Sequence, residues 1–254
     1  MTAAQPSVWA SWSLEPLQLA PLALAGTLYA ARVWTLRRRG ERVPPSRVLL
    51  VGVGAGLVLC ALVTPLNAFA ERQFQFCHMI QHLLLGDLGP LCVALGLTAS
   101  VLGPLGLVRL LAHPAVALPL WLTNLAVWHI RGPYEAALRH ESIHAIQHLL
   151  LFGCATLLWA PALRGLGPRW FGMGARLVYV AVIGVAGTVL ANIFIWSGGA
   201  FYSLYERAPG RFGMMPEEDQ RIAGGVMMLE GSVVTLAVLA WLLHTVLTHW
   251  ERRA

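Results

Sequence analysis

Apolar residues run along this chain in long blocks, separated by short connectors rich in arginine, proline and glycine. A helix needs roughly 20 mostly apolar residues to cross the hydrocarbon core of a bilayer. Seven stretches read as spans: Leu14 to Leu36, Val48 to Asn67, Phe76 to Leu97, Ala115 to His129, Ile143 to Leu163, Arg176 to Trp196 and Ile222 to Leu247. The fourth is the shortest. The pattern predicts an all-α polytopic membrane helix bundle of about seven transmembrane helices, one integral membrane domain over residues 1–254.

Polar residues interrupt the blocks in a repeated way. His78-Met79-Ile80-Gln81-His82-Leu83-Leu84-Leu85 has an echo in His144-Ala145-Ile146-Gln147-His148-Leu149-Leu150-Leu151. Residues three and four apart share a helix face, so each copy aims two imidazoles and an amide the same way. The echo covers about a dozen residues and reads as a local repeat rather than a duplicated fold.

Composition agrees with a membrane protein. The chain is 57% hydrophobic and only 12% charged, against about 25% charged in soluble domains. Its net charge of +6 comes from arginines between the apolar runs, which is a topology signal and gives no reason to expect nucleic acid. Arg37, Arg38, Arg39 and Arg42 follow the first span, so the N-terminus is expected outside and the C-terminus in the cytoplasm; no cleaved signal peptide is expected. Cys60, Cys77, Cys92 and Cys154 lie in or at apolar segments without a Cys-x-x-Cys spacing, so no disulfide framework is predicted.

That orientation gathers the chemistry at one depth. His78 and His82 fall in the first turns of the third span, His144 and His148 in those of the fifth, and His129 ends the fourth; Met227 and Met228 begin the seventh, all on the outer side. Imidazole suits copper, zinc, iron and nickel, and thioether or thiolate selects Cu(I). Copper is therefore the first expectation, with His78, His82, His144, His148, His129 and Met227 as ligands and Cys77, Met79, Gln81, Gln147 and Met228 around them. The alternatives are haem, held by one histidine from each of spans three and five, and a metal-free bundle whose histidines are interhelical hydrogen-bond glue. Asp87 and Glu230 lie deeper, about 16 and 12 Å down their helices. Glu230 shares a face with Met227 and is expected as a ligand or a group behind the ligands, whereas Asp87 is about 140° around the helix from His82 and is expected behind the ligands, paired with Asn124, Asn192 or a helix terminus. His113, His244 and His249 are expected at the cytoplasmic interface, and His140 extends the second histidine row only if its helix starts early. Gly52, Gly54, Gly56, Gly184, Gly187, Gly224 and Gly225 are expected to let helices approach closely. The outer segment from Ser197 to Arg221 reads as a cap, a partner surface or an interfacial connector. No nucleophile with a paired base and no phosphate-binding glycine loop is visible, so an enzyme is not expected.

The His78 to Leu84 motif, Trp128-His129 followed by Pro133-Tyr134, the His144 to His148 motif, and Asp219-Gln220-Arg221-Ile222-Ala223-Gly224-Gly225-Val226-Met227-Met228 together resemble the CtaG family of multi-span cytochrome c oxidase (caa-type) assembly factors. This family is distinct from the single-span copper chaperone that shares its name. The resemblance runs from about Leu14 and implies a bacterial inner (plasma) membrane protein, assisting metallation of the oxidase subunit that carries the buried copper centre. A periplasmic copper donor is an implied further partner. At Met228 the resemblance would lead one to expect tryptophan, which puts the packing beside Met227 in question.

Overall fold

The computed structural model describes residues 8–102, 106–164, 168–206 and 213–251, and every regular element among them is helical. Six helices are long and apolar enough to cross a membrane: Pro16–Arg38, Pro45–Val63, Gln75–Gly96, Glu141–Leu163, Met173–Trp196 and Pro216–Thr248. The stretch expected as the fourth span forms Pro114–His129, 16 residues, only about 24 Å long at 1.5 Å per residue. It still joins the two ends of the bundle. The ring of His113 lies 6.1 Å from Trp170, in the connector between the Glu141 and Met173 helices. His129, at its other end, lies 6.3 Å from His82. Pro114–His129 therefore runs between the same two ends as the six longer helices, and the seven are numbered here as spans one to seven in chain order, with Pro114–His129 as span four.

Local sequence sets the boundaries. Proline occupies the first turn of spans one, two and four and of the short helix Pro65–Arg72, where its missing N–H costs nothing and its fixed φ suits a helix start. Thr64 caps Pro65–Arg72 by accepting from Leu66 N. Spans five and three are the central ones, with 61% and 44% of their apolar windows buried, whereas span one is 11% buried and span seven 17%. The histidine repeat thus lies on the two helices most enclosed by the rest.

Close backbone approach is confined to some of the expected glycines. A Cβ on Gly54 would stand 2.7 Å from Gly89 O, one on Gly224 2.7 Å from Ala191 O, and one on Gly184 2.7 Å from Thr235 Cγ2. These pin span two to three and span six to seven. Gly52, Gly56, Gly187 and Gly225 would meet nothing within 4 Å, so the expectation fails for them.

Span three is not uniformly α-helical. Gln75–Leu83 is α-helix, Leu84–Leu88 a π-helical turn, and Gly89–Gly96 α-helix again. Such bulges insert a residue and turn the rest of the helix to a different facing. Below this turn, Leu158, Trp159, Tyr179, Val180, Ile183 and Leu242 pack spans five, six and seven together. The histidines lie at the opposite end of the bundle from Arg37 to Arg42, giving a histidine end and an arginine end.

Candidate metal centre

The start of span three is held from span seven. Asp219 accepts from Gln75 N at 2.7 Å and from Phe76 N at 2.9 Å, satisfying two of the N–H groups a helix start leaves unpaired, with a negative charge at the positive end of its dipole. From that fixed start, His78 and His82 lie one turn apart with ring centroids 4.1 Å from each other; His144 and His148 repeat the spacing at 4.1 Å. Across the gap, His78 is 5.9 Å from His144 and His82 is 6.1 Å from His148. The two copies therefore face each other, with His129 joining at His82. His78, His82, His144 and His148 are all buried.

The ring nitrogens separate hydrogen-bond glue from ligation. His129 Nδ1 is 2.7 Å from Leu125 O, His144 Nδ1 is 3.2 Å from Glu71 Oε1, and His148 Nδ1 is 3.2 Å from Gln18 Oε1. Gln18 donates its Nε2 to Glu15 Oε2 at 2.6 Å, which fixes its amide with the oxygen towards His148. Each of these partners is an acceptor, so in the neutral ring Nδ1 carries the hydrogen and Nε2 presents a lone pair. Those three Nε2 atoms, and both ring nitrogens of His78 and His82, are buried with no hydrogen-bond partner in the protein. An unpaired buried polar atom costs about 1–3 kcal/mol. His144 and His148 are bonded across helices through Nδ1, but no imidazole is bonded to another, and the nitrogens that face one another have their lone pairs unused.

As they stand, no three His, Cys, Asp or Glu side chains among the described residues converge closely enough to hold an ion. The close pairs lie within one helix, and the rings on opposite helices are about 6 Å apart. The donor set nonetheless fits a soft or borderline metal, since its orphaned atoms are imidazole nitrogens and three of its five histidines are braced through the other nitrogen, as metal-ligating histidines characteristically are. Ligation by more than two residues requires side-chain rotation inward.

Beneath the rings is a cavity of about 90 Å³, lined among others by Met79, His82, Asp87, Asn124, His129, Met227 and Glu230. Asp87 and His82 thus both line it, although a regular helix would set them about 140° apart. The π-helical turn begins two residues after His82 and spoils the count of 100° per residue on which that angle rests. Asp87 accepts from Trp159 Nε1 at 2.8 Å and is hydrogen-bonded to Glu230. Its partners are therefore neither Asn124, which accepts from Trp128 Nε1, nor Asn192, which accepts from Trp196 Nε1.

The other expected groups divide. Met79 and Met227 line the cavity. Cys77 packs with Ala70 and Phe74, one residue round the helix from His78. Met228 is 38% exposed and outside the cavity lining, so it is no neighbour of the site; the position where tryptophan was expected faces outward and leaves Met227 undisturbed. Gln81 donates to Ala61 O and Asn67 Oδ1, whereas both polar atoms of Gln147 are unpartnered. His140 caps the helix Arg131–Arg139 and is exposed, and His244 is exposed as well. The side chain of His249 lies outside the described residues.

An aromatic cap covers the rings. Tyr134 stacks on Tyr202 at 3.7 Å and stands 4.9 Å from His78. Tyr202 donates to His129 O, and Tyr205 to Ala70 O. Buried Glu135 ties this layer down, accepting from Ser203 N and Oγ at 2.9 Å each and pairing with Arg131 and Arg139. Burial works to raise the Glu135 carboxyl, but the Ser203 and Arg131 donors hold it below the ordinary value of 4.5. Gln220 accepts from Phe201 N and donates to Gly199 O. The described part of the segment from Ser197 is therefore a cap; residues 207–212, within the same expectation, lie outside the described residues. Glu15, Gln18, Glu71 and Glu135 were not singled out from sequence. Only Gln18 carried a local signal, as an amide inside the first apolar block.

Fold and site together define a multi-pass membrane protein with a buried, five-histidine pocket under a tyrosine cap at one end. The chain belongs to the Caa3_CtaG family, described as cytochrome c oxidase caa3 assembly factor, whose family model matches residues 27–249. No curated protein and no solved structure matches it.

Proposed function

We propose that this assembly factor carries copper as its cargo, held by His78, His82, His144 and His148 with His129 and Met227 beside them, and passes it to the oxidase subunit bearing the buried copper centre. On this reading the histidine end faces outward in a bacterial plasma membrane, the arginine-rich connectors face the cytoplasm, and a periplasmic donor supplies the metal. The observation that carries the proposal is the set of buried Nε2 lone pairs on His129, His144 and His148, each with its tautomer set by an acceptor on Nδ1.

Copper supplies affinity for neutral nitrogen and sulfur donors without adding ligand charge to a site near hydrocarbon. The protein supplies the rest: carboxylate, amide and backbone braces hold the rings, and the tyrosine cap limits access from solvent. Ligands that must rotate inward to close on an ion can also rotate back, which suits a donor rather than a permanent store. The chain works by holding and handing on, with no turnover of its own. Haem has less support, because one axial histidine from each of spans three and five leaves the second histidine of each pair without a role.

Metal analysis and a visible spectrum of the purified full chain after copper-replete growth test the proposal. Copper is expected, with no Soret band, and a His78→Ala/His144→Ala variant is expected to carry background copper and fail to support oxidase activity. Wild-type protein without copper, or normal oxidase activity in the variant, would overturn it.

A further inference from the structure

Glu71 lies near the end of the short helix Pro65–Arg72, at the rim of the histidine end. Its Oε1 accepts from Asn67 Nδ2 at 3.1 Å and stands 3.2 Å from His144 Nδ1. The Glu71 side chain is 21% exposed and that of His144 only 4%, so this contact crosses from solvent into the buried pocket. His144 is threaded through it, with one nitrogen on the carboxyl outside and its unpartnered Nε2 on the inner side.

Two more carboxyls come to the same rim from distant parts of the chain. Glu15 precedes span one and Glu141 opens span five, and the Glu15 carboxyl interacts electrostatically with Glu71, Glu141 and His144. Ser13 Oγ and Gln18 Nε2 both donate to Glu15, and Gln18 Oε1 faces His148 Nδ1. Each of two rim carboxyls therefore connects to one histidine of span five, Glu71 directly and Glu15 through an amide. Gathering like charges is unfavourable unless a cation relieves it. Elsewhere the pocket is covered: the Tyr134–Tyr202 stack stands over His78, and Phe194 lies 5.8 Å from His129.

We infer that Glu15, Glu71 and Glu141 form the mouth of the histidine pocket, a docking point where a metal cation is drawn from solvent and passed to His144. The inference rests on the copper reading and adds to it the route in. A mouth lined with one sign of charge raises the local concentration of an oppositely charged ligand and its rate of arrival, and that gain shrinks with ionic strength. Glu71 has two parts here, presenting charge outward and keeping the hydrogen on His144 Nδ1 so that Nε2 stays free to take the metal.

The test uses the full chain in detergent micelles, mixed rapidly with Cu(I) supplied as its cationic acetonitrile complex and followed by quenching of tryptophan fluorescence. A Glu15→Gln/Glu71→Gln/Glu141→Gln variant is expected to load about tenfold more slowly than wild type and to lose most of its salt dependence. Glu141→Gln alone, which removes no hydrogen bond to His144, His148 or Gln18, is expected to slow loading by a smaller factor with copper capacity unchanged. A triple variant that loads at the wild-type rate overturns the inference, as does a Glu141→Gln protein whose capacity falls while its rate holds. Wild-type protein that takes up no Cu(I) removes the copper reading and this inference together; unaltered loading without the carboxylates removes this inference alone.

Discussion

The two copies of His-x-x-Gln-His are nearly identical as text and unlike as chemistry. In span five both imidazoles are braced from outside, His144 by Glu71 and His148 by Gln18, and the amide of Gln147 is unpartnered. In span three the pattern is inverted: Gln81 is anchored on Ala61 O and Asn67, while His78 and His82 have no partner on any ring nitrogen. Repetition places four rings opposite each other, but the neighbours decide what each ring can do. Span five offers Nε2 donors whose tautomer is already set. Span three offers rings free to present either nitrogen, the half able to adapt as cargo arrives or leaves.

The contrast can be broken most directly by removing one copy at a time. His144→Ala/His148→Ala and His78→Ala/His82→Ala are each expected to abolish copper retention in the purified chain, read by metal analysis; retention by either would mean that one copy suffices. Loss of a single brace has a smaller effect. Gln18→Leu frees His148 Nδ1 and is expected to weaken Cu(I) affinity by roughly 10–100-fold in a competition titration, the usual cost of losing a partner behind a ligating histidine. Gln81→Leu, in the other copy, removes amide bonds to backbone and Asn67 instead. It is expected to lower stability by about 1–3 kcal/mol in a thermal melt with affinity nearly unchanged; an affinity loss equal to that of Gln18→Leu would erase the distinction.

The smallest effect belongs to the cap shared by both copies. The folded Glu135 carboxyl is held below 4.5, so its contribution to stability is complete above about pH 4.5 and is lost as pH falls through the folded value. Melting temperature is expected to drop over that acid range in wild type and to drop less in Glu135→Gln. Equal slopes would show that Ser203 and Arg131 do not act through this carboxylate.

The helix bundle and the matching depth of the two histidine pairs were legible because each depends on local periodicity. The braces were not, since Gln18 and His148 are 130 residues apart in the chain and nothing near either announces the other. The partners of Asp87, Trp159 and Glu230, were missed for a different reason: the π-helical turn at Leu84–Leu88 changes the angle per residue. Cys77 and Met228 show the limit of grouping by proximity in sequence, because one step along a helix turns a side chain by about 100°, enough to take Met228 away from the cavity that Met227 lines.

Span four, about 24 Å long, shows Val116, Leu120 and Val127 at the surface. Set in a hydrocarbon core of about 30 Å, that flank falls short by roughly 6 Å, a mismatch of the kind that a bilayer meets by thinning locally or a protein by associating with a neighbour.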